Sequence, residues 1–506
     1  MKSARTQFLL RCFSSCCFFL AAISVFAVTL ALAQSLQPAP SPATSTLHSP
    51  SGRGAGGEGL PQANAPLAFD EARALLAANA PSLKAAQARF AGKKDSSDSL
   101  KNLNYPEVGL ELRYFRYEHT INSRQASLDH ASINGIPLSS ISIPGLPILP
   151  VHSYEARLSQ TALQPIATAS WVLYSGGQIT AAKRAAAASA DQAGAQVEVV
   201  RESLELELVN AYFGQQLAAR VLALRNELLA GMREHLDNAV KLENGGLITK
   251  AQRLQAQVAH DAAKRATDAA EHALEAARIG LAALLRTPGP VEPSTQLFII
   301  KKPLDTLAPL VAGARERNPQ VRAVESLKRA AEQGVKAERA RWMPKVLAFG
   351  SYNFNKNSVT LADSDWLAGV GVQWAVFDKI DRRKNYSAAK QTVNEAAETA
   401  EHARMMADAA ARRARDALAS AQRQFALLES DLESARENLR VQELSFKEGQ
   451  GISTDVTNAR IALTNVLVER AIAAYQFDLE LARLLHAAGQ MELFSTFIKQ
   501  TDTVIP

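Results

Sequence analysis

Residues 108–114 read VGLELRY, with an apolar side chain at every even position and glycine or a charged residue at every odd position. A period of two is typical of a β-strand, whose successive side chains point to opposite faces. Such a strand could present one face to lipid and the other to water. A half-buried strand of a soluble protein alternates in the same way, so this pattern by itself leaves both interpretations open.

Three more segments complete a set of four predicted strands. Residues 365–378 alternate over a longer stretch, and another strand follows Pro344. Residues 163–173 form the remaining candidate, although Pro165 would remove one hydrogen bond from the ladder. We expect four aromatic residues of these segments to lie at the membrane interface. They are Tyr114, Trp171, Trp366 and Trp374.

The landmarks of these segments occur twice along the chain. They form the pairs Pro81 and Pro319, Pro106 and Pro344, Trp171 and Trp374, and Gly246 and Gly449. The offset between the copies is 238 at the prolines and 203 from the tryptophans onward. The first copy therefore has 35 extra residues, which we place in an exposed loop from about His119 to His152 because this segment is polar and broken by proline. Matched spacing predicts two tandem repeats.

Each copy reads as helix, strand, loop, strand, long helix, turn and second helix. No proline occurs from Ile166 to Thr287 or from Lys345 to Ile505, and helix-forming residues dominate much of both stretches. Residues 178–243 and 381–447 predict helices of roughly 100 Å, at ~1.5 Å per residue. Many of their core-type positions are alanine, which allows helices to approach closely. By helix content alone, an ordinary coiled coil would be favoured.

Residues 1–33 are predicted to be a cleaved secretory signal peptide, because basic residues precede an apolar stretch that ends in a small-x-small pattern. An uncleaved anchor is the alternative. The three cysteines, Cys12, Cys16 and Cys17, all lie in this segment, so the mature chain is expected to have no disulfide and no cysteine ligand. Residues 34–66 are rich in Pro, Ser, Ala and Gly and predict a disordered linker.

Composition and motifs argue against several classes of protein. The net charge of +6 over 506 residues gives no electrostatic case for nucleic acid. No paired-histidine motif, nucleophile elbow or phosphate loop occurs, so we predict neither an enzyme nor a cofactor or metal site. The histidines of the helical stretches are assigned surface or packing roles. They are His235, His260, His272 and His402.

With these features the chain resembles the TolC-like outer-membrane efflux proteins from about Leu67 to Leu485. The resemblance is carried by the Asn-Pro-type helix openings, the proline entries to strands, the LYSGG junction at 173–177 and the two inter-helix turns. It implies a mainly α fold with membrane β-structure, in which a homotrimer forms a 12-stranded β-barrel continuous with an α-helical coiled-coil tunnel. The expected location is the outer membrane, in contact with its lipid and with a long periplasmic extension.

The resemblance also implies a function and partners. The chain would be the passive exit duct of a tripartite efflux or type I secretion system, supplied by a periplasmic adaptor and an inner-membrane transporter. The sequence does not choose between efflux and secretion. The alternative is a soluble periplasmic coiled-coil or adaptor protein that never enters a membrane. The predicted organisation is a first repeat, a connector, a second repeat and a C-terminal tail, at 67–287, 288–313, 314–488 and 489–506.

In this family the inter-helix turns form the periplasmic entrance of the pore. Asp455 matches an aspartate of the family, its counterpart in the first copy is Gln252, and Asn458 stands where some members have a second acid. The resemblance therefore implies an entrance ring that includes Asp455. A plain alternative is that Asp455 stabilises the helix N-terminus. The turn glycines are expected to permit the reversal of the chain, and they are Gly246, Gly449 and Gly451.

Overall fold

The computed structural model describes most of the chain after residue 65. The described residues are 66–123, 132–133, 136–137, 154–301, 307–355, 365–448 and 450–505. The predicted signal peptide, the linker up to residue 65, much of the predicted loop at 119–152, and Gly449 lie outside them.

Helices dominate the described residues, as the sequence predicts. They are α1 (Phe69–Asn79), α2 (Pro81–Ser99), α3 (Gln178–Asn244), α4 (Lys250–Leu285), α5 (Ala308–Arg317), α6 (Pro319–Ala340), α7 (Arg382–Lys447), α8 (Ser453–Ala488) and α9 (Phe494–Lys499). Helices α3 and α7 contain 67 and 66 residues, so each is roughly 100 Å long. Their ends agree with the predicted ones within one residue. In the described residues, no helix combines the length and the apolar character needed to cross a bilayer.

Within the described residues, the strands form one larger sheet and three small ones. They are β1 (Pro66–Leu67), β2 (Glu107–Ser123), β3 (Ser132–Ile133), β4 (Ile136–Pro137), β5 (Tyr154–Tyr174), β6 (Glu292–Pro293), β7 (Leu297–Ile299), β8 (Lys345–Asn353), β9 (Trp366–Gln373) and β10 (Thr503–Ile505). The larger sheet is antiparallel in the order β2-β5-β8-β9. The small sheets pair β1 with β6, β7 with β10, and β3 with β4.

The two repeats have the same order of elements. The series α2, β2, β5, α3, α4 of the first corresponds to α6, β8, β9, α7, α8 of the second. An asparagine makes an equivalent hydrogen bond in each repeat. Asn79 Nδ2 donates to the carbonyl of Leu285 at 3.3 Å, and Asn318 Nδ2 donates to the carbonyl of Ala487 at 3.0 Å. Each bond ties the start of the short helix to the end of the last helix of its own repeat.

The long helices begin differently in the two repeats. Gly177 precedes α3 with a φ of 91°, a left-handed conformation that favours glycine. Before α7, Asp381 instead accepts hydrogen bonds from the backbone N–H groups of Arg383 and Lys384 at 2.9 and 3.2 Å. This is an N-cap, which satisfies N–H groups that a helix start leaves unpaired. The second junction thus lacks Gly-Gly and still starts a helix.

Strand β5 continues through Pro165, where the sequence predicts a lost ladder bond. In an antiparallel strand the N–H and C=O of one residue point to the same side. The carbonyl of Pro165 accepts from the backbone N–H of Phe354 at 3.0 Å, on the β8 side, just beyond the last pair of the β5–β8 ladder, Ile166 with Asn353. The missing N–H therefore points away from β2, and the β2–β5 ladder runs on unbroken.

Two predicted strand limits were wrong. The alternation at 365–378 predicts a strand to Asp378, but β9 ends at Gln373. Gln373 pairs with Lys345, the first residue of β8, so β9 ends where its partner strand begins. The predicted loop at 119–152 also begins too early, because β2 runs to Ser123 and pairs with the start of β5.

The main hydrophobic core lies around the middle of the long helices. Phe69 packs edge-on against Tyr212 of α3, with ring centroids 5.5 Å apart, and Phe298 of β7 contacts Phe477 of α8. The Tyr212 hydroxyl donates to the carbonyl of Leu67 at 2.7 Å and accepts from two backbone N–H groups of the segment after β6.

The predicted boundary between residues 313 and 314 falls inside α5, the counterpart of α1.

Candidate functional site

The turn between α3 and α4 is built on Gly246. The N–H of Leu247 donates to the carbonyl of Leu242, and the N–H of Gly246 to that of Glu243, both at 2.9 Å. These two bonds form a Schellman motif, in which the residue after the C-cap is left-handed. Gly246 has a φ of 74°, which a side chain would oppose. Arg253 of α4 forms an ion pair with Glu243 across this turn.

The turn between α7 and α8 uses glycine for a different reason. The N–H groups of Gln450 and Gly451 both donate to the carbonyl of Ser445 at 2.9 Å. A Cβ on Gly451 would lie 3.0 Å from the backbone nitrogen of Phe446, a tight contact that would require the backbone of the turn or of α7 to shift. Gly449, the third predicted turn glycine, is not among the described residues.

Gln252 and Asp455 occupy the same position, the third residue of α4 and of α8. Gln252 is half-buried, and its Oε1 accepts from the backbone N–H of Thr249 at 2.9 Å, while its own N–H donates to the Thr249 hydroxyl. This reciprocal pair is a capping box. Asp455 is exposed, and its carboxylate has no hydrogen bond or ion pair within the described residues. Asn458, one turn further along α8, is also exposed.

The structure brings the two turns together at one end of the molecule. The Thr454 hydroxyl donates to Gln255 Oε1 at 3.0 Å, which joins α8 to α4. His235 Nε2 lies 2.7 Å from the Ser453 hydroxyl oxygen, which joins α3 to the first residue of α8. Both partners are buried, His235 with 4% of its surface exposed and Ser453 with none. Predicted residues Gln252 and Asp455 therefore lie on adjoining helix starts.

The buried His235 site could not be found from sequence motifs. Its ring also packs against Phe446 of α7, with ring centroids 4.8 Å apart. Burial, with the nearby charge of Arg460, lowers the pKa of His235. Arg460 pairs with Glu443 and lies over Gly231, where even a Cβ would be 1.8 Å from the guanidinium. A glycine within a long alanine-rich helix is the one sequence signal of this close packing.

The four-stranded sheet has one apolar face. Residues opposite each other in an antiparallel pair point to the same side, so the ladder registers define which residues share it. The apolar face comprises Val108, Leu110, Leu112, Tyr114, Leu163, Pro165, Ala167, Ala169, Trp171, Val346, Ala348, Gly350, Tyr352, Trp366, Ala368, Val370 and Val372. Most of the large side chains among them are exposed, with 82% of Leu110 and 66% of Val370 accessible. Arg116, two residues after Tyr114, ends this face on β2.

The opposite face of the sheet is mixed and carries the polar side chains. Glu111 and Arg113 form an ion pair there at 2.8 Å. Thr168, Ser170 and Gln373 share this face. The alternation that predicts each strand separately therefore holds across all four strands at once.

The four predicted interface aromatics fall into two pairs. Tyr114 and Trp366 lie on the apolar face and are largely exposed, at 75% and 66%. Trp171 and Trp374 stand near the junctions with the long helices, and the indole nitrogen of each donates to a backbone carbonyl. Trp374 lies one residue past β9 and so is not a strand residue.

A metal centre is not evident in the part of the chain that the structure describes. No group of three or more His, Cys, Asp or Glu side chains there is placed to hold an ion.

Comparison with protein families identifies this architecture. Residues 73–286 and 310–490 match the model of the outer membrane efflux protein family, and together they make up more than half of the chain. The chain belongs to this family. The two matched segments correspond closely to the two repeats. This is a family of efflux channels and not of enzymes, and its members function as homotrimers with adaptor and inner-membrane transporter partners. The sequence-based resemblance to TolC-like proteins is confirmed.

A curated relative and several solved structures agree with the family match. Protein CyaE of Bordetella pertussis is 28% identical over 258 residues, which are 49% of this chain and 54% of CyaE. The match thus spans about half the length of that relative.

Three of the similar solved structures are of outer-membrane proteins. VceC of Vibrio cholerae has a TM-score of 0.66 at 17% identity, covering 83% of this chain and 96% of VceC. The MtrE channel of Neisseria gonorrhoeae has a TM-score of 0.65 at 19% identity, covering 84% and 89%. The CmeC channel of Campylobacter jejuni has a TM-score of 0.65 at 13% identity, covering 90% and 97%. At these identities the likeness concerns the fold.

Proposed function

We propose that the chain is the outer-membrane channel of a tripartite efflux or type I secretion system. It would act as a passive exit duct for substrates that a periplasmic adaptor and an inner-membrane transporter deliver. The observation that carries this proposal is the sheet with one exposed apolar face, joined directly to helices of roughly 100 Å. Large exposed apolar patches mark contact with lipid or with a protein partner.

The sheet fits the lipid part of this role. Its apolar face runs from Val108 to Tyr114 along β2, roughly 20 Å at ~3.3 Å per residue. That length is comparable with the apolar band of ~25 Å on the outside of bacterial membrane barrels. Four strands are too few to close a pore, since such barrels have eight or more. Three copies would supply 12 strands and gather the long helices into a tunnel in the periplasm.

The helix tips fit the role of a pore entrance. Asp455 is exposed at the start of α8 with its charge unpaired in the described residues, whereas Gln252 is engaged in the cap of α4. Three copies would then bring three aspartates to the entrance, where they would attract cations. Gly246, Gly449 and Gly451 would shape the turns that surround it.

Cell fractionation tests the proposal against a soluble periplasmic coiled coil or adaptor. We expect the mature chain in the outer-membrane fraction, as a trimer that heating in detergent dissociates. A soluble monomer would exclude the channel function. Two lysine variants sharpen the test: Leu110→Lys places a charge on the apolar face, and Thr168→Lys places one on the opposite face of the same sheet.

The two lysine variants should behave differently. A lysine facing lipid costs ~2–4 kcal/mol near the bilayer midplane, so Leu110→Lys should lose most outer-membrane trimer while Thr168→Lys keeps it.

A deletion strain then separates the two kinds of transport. Sensitivity to drugs or metals indicates efflux, and the loss of a secreted protein indicates type I secretion.

A further inference from the structure

The contact between the two repeats of one chain provides a template for a contact between chains. Strand β5, the second strand of the first repeat, pairs with β8, the first strand of the second repeat. In the helical layer, α6 packs against α3 of the first repeat as well as α7 of its own. Each element at this internal seam therefore has a neighbour from both repeats.

In the part of the chain that the structure describes, the corresponding elements at the other end of the series lack such a neighbour. β2 and β9 are the two edges of the four-stranded sheet, and an edge strand presents a row of N–H and C=O groups with no ladder partner. Helix α2, the counterpart of α6, packs mainly on α3, and Leu83 is its one buried side chain. Within the chain, β8 pairs with β5 and α6 packs on α3. The equivalent contacts of β2 and α2 would come from another copy.

We propose that β9 of one copy pairs with β2 of the next in the register given by the repeat offsets. The second strands differ by 203 residues and the first strands by 238. The internal pair of Ala169 with Gly350 therefore corresponds to Val372 with Leu112 of the next copy. With the same two offsets, the internal pair of Ser170 with Phe349 corresponds to Gln373 of one copy with Glu111 of the next copy. This inference rests on the proposed trimer and adds the identity of the paired residues.

The two faces of the sheet support this register independently. The offsets come from prolines and tryptophans and contain no information on which side chains are apolar. Yet Val372 and Leu112 both belong to the apolar face, and Gln373 and Glu111 both belong to the opposite face. A slip of one residue would place Val372 beside a charged side chain of β2, because side chains alternate with a period of two.

Neighbouring pairs of the seam are also sterically compatible. Val370 would face Tyr114, a β-branched residue beside an aromatic one, which is a favourable cross-strand pair. Gly371 would face Arg113, so a long side chain would meet a residue that has none. Helix α2 of the next copy would then pack on α7, as α6 packs on α3.

The helical part of the seam differs from its template in charge. Within the chain, Arg329 of α6 forms an ion pair with Asp191 of α3 at 3.3 Å. Between copies, the equivalent positions are Ala91 of one chain and Asn394 of the other, and these two side chains cannot form an ion pair. The seam between copies would therefore depend more on its strands than the internal seam does.

Disulfide cross-linking tests the register in the full-length chain. A Val372→Cys/Leu112→Cys variant should form a covalent trimer under mild oxidation, since directly opposed Cα atoms lie ~4.5–5.5 Å apart and disulfides span ~4.4–6.8 Å. Gln373→Cys/Glu111→Cys is the second variant, because hydrogen-bonded and non-hydrogen-bonded pairs alternate along a ladder. The internal pair Ala169→Cys/Gly350→Cys is the matched positive control and should form a disulfide within one chain.

A slipped pair is the negative control. In Val372→Cys/Tyr114→Cys both cysteines lie on the apolar face, but the register puts them on a diagonal of roughly 7–8 Å, which a disulfide spans poorly. The matched variants should shift the main non-reducing band to the trimer, and this variant should remain a monomer after heating. The unsubstituted chain reports any contribution from Cys12, Cys16 and Cys17.

The outcomes separate the register from the channel proposal. If the chain is a trimer in the outer membrane but neither matched pair cross-links, or the slipped pair cross-links instead, the register is wrong and the channel proposal stands. If the unsubstituted chain forms no outer-membrane trimer, both are wrong. Should Val372→Cys/Leu112→Cys fail to assemble, Gln373→Cys/Glu111→Cys on the opposite face decides.

Discussion

The indole nitrogen of Trp171 donates a hydrogen bond to the backbone carbonyl of Asn104, with the two atoms 2.6 Å apart. Trp374 makes the equivalent bond to the carbonyl of Trp342 at 3.2 Å. Each acceptor stands two residues before the proline that leads into the first strand of its repeat. The bond therefore ties the end of the second strand to the entry of the first, at the junction of sheet and helices.

Removing either indole donor should weaken this junction. We expect Trp171→Phe and Trp374→Phe each to cost about 1 kcal/mol, the net contribution of a typical hydrogen bond. The measurement is the temperature at which the trimer dissociates in detergent. Trp366→Phe is the control, because Trp366 lies on the apolar face and its indole has no hydrogen bond within the described residues. Equal losses in all three variants would show that ring volume matters and the bond does not.

Alanine substitutions at two adjacent glycines in the turn between α3 and α4 should affect stability differently. Gly246 is left-handed at φ 74°, so Gly246→Ala should destabilise the turn by ~1–2 kcal/mol. Gly245 has φ −81°, and a Cβ there meets nothing closer than 3.6 Å. Gly245→Ala should therefore be neutral or slightly stabilising, because alanine has less freedom in the unfolded chain. Chemical denaturation of both variants measures this, and equal destabilisation would contradict it.

The cation preference of the proposed entrance should depend on the charge of Asp455. Asp455→Asn should lower the preference for cations in single-channel recordings several-fold, because the proposed entrance loses three charges. Gln252→Glu should act in the opposite direction, since glutamate keeps the capping box with Thr249 and adds three charges. Selectivity that is unchanged in both variants would place these helix starts away from the pore axis and leave Asp455 with a role in helix stability alone.

Acidification should loosen the contact between α3 and α8. The folded-state pKa of His235 is lowered by burial and by Arg460, so the unfolded chain binds this proton more readily. The stabilisation by the neutral ring is then complete above the unfolded pKa of about 6.5 and is lost as the pH falls below it through the folded value. The protection of amides at the start of α8, which is the intrinsic exchange rate divided by the observed rate at the same pH, should decrease between pH 7 and pH 5.

A variant separates His235 from other acid-sensitive groups. Ser453→Ala removes the partner hydroxyl and should lower the amide protection at the start of α8 at pH 7 as well. The protection in the parent and in this variant should converge at pH 5. Protection in the parent that is independent of pH would show that the buried histidine does not control this contact.

Much of the architecture could be predicted because its signals are local. A proline cannot continue a helix, so the proline-free stretches predict long helices, and the predicted bounds 178–243 and 381–447 agree with α3 and α7 within one residue. Alternation of side chains predicts which face of β2 is apolar, since the period of a strand is two. The equivalence of the repeats followed from spacing alone, and the matched bonds of Asn79 and Asn318 agree with it.

Other features could not be predicted because they depend on residues far apart in the chain. His235 and Ser453 are separated by 218 positions, and no motif marks either of them. Strand β9 ends early because its partner strand β8 begins only at Lys345, which lies outside the alternating segment. By contrast, the capping box of Thr249 and Gln252 is local, and the T-x-x-Q pattern at 249–252 could have indicated it.

The sequence by itself determined the repeat, the two long helices and the alternation of the strands, since each depends on backbone restrictions and side-chain periods that act over a few residues. Only the tertiary structure decided that four alternating strands combine into one continuous apolar face, that Pro165 points its missing N–H away from β2, and that a buried histidine joins the helix tips. These depend on ladder register and close packing, which are fixed only when distant segments meet.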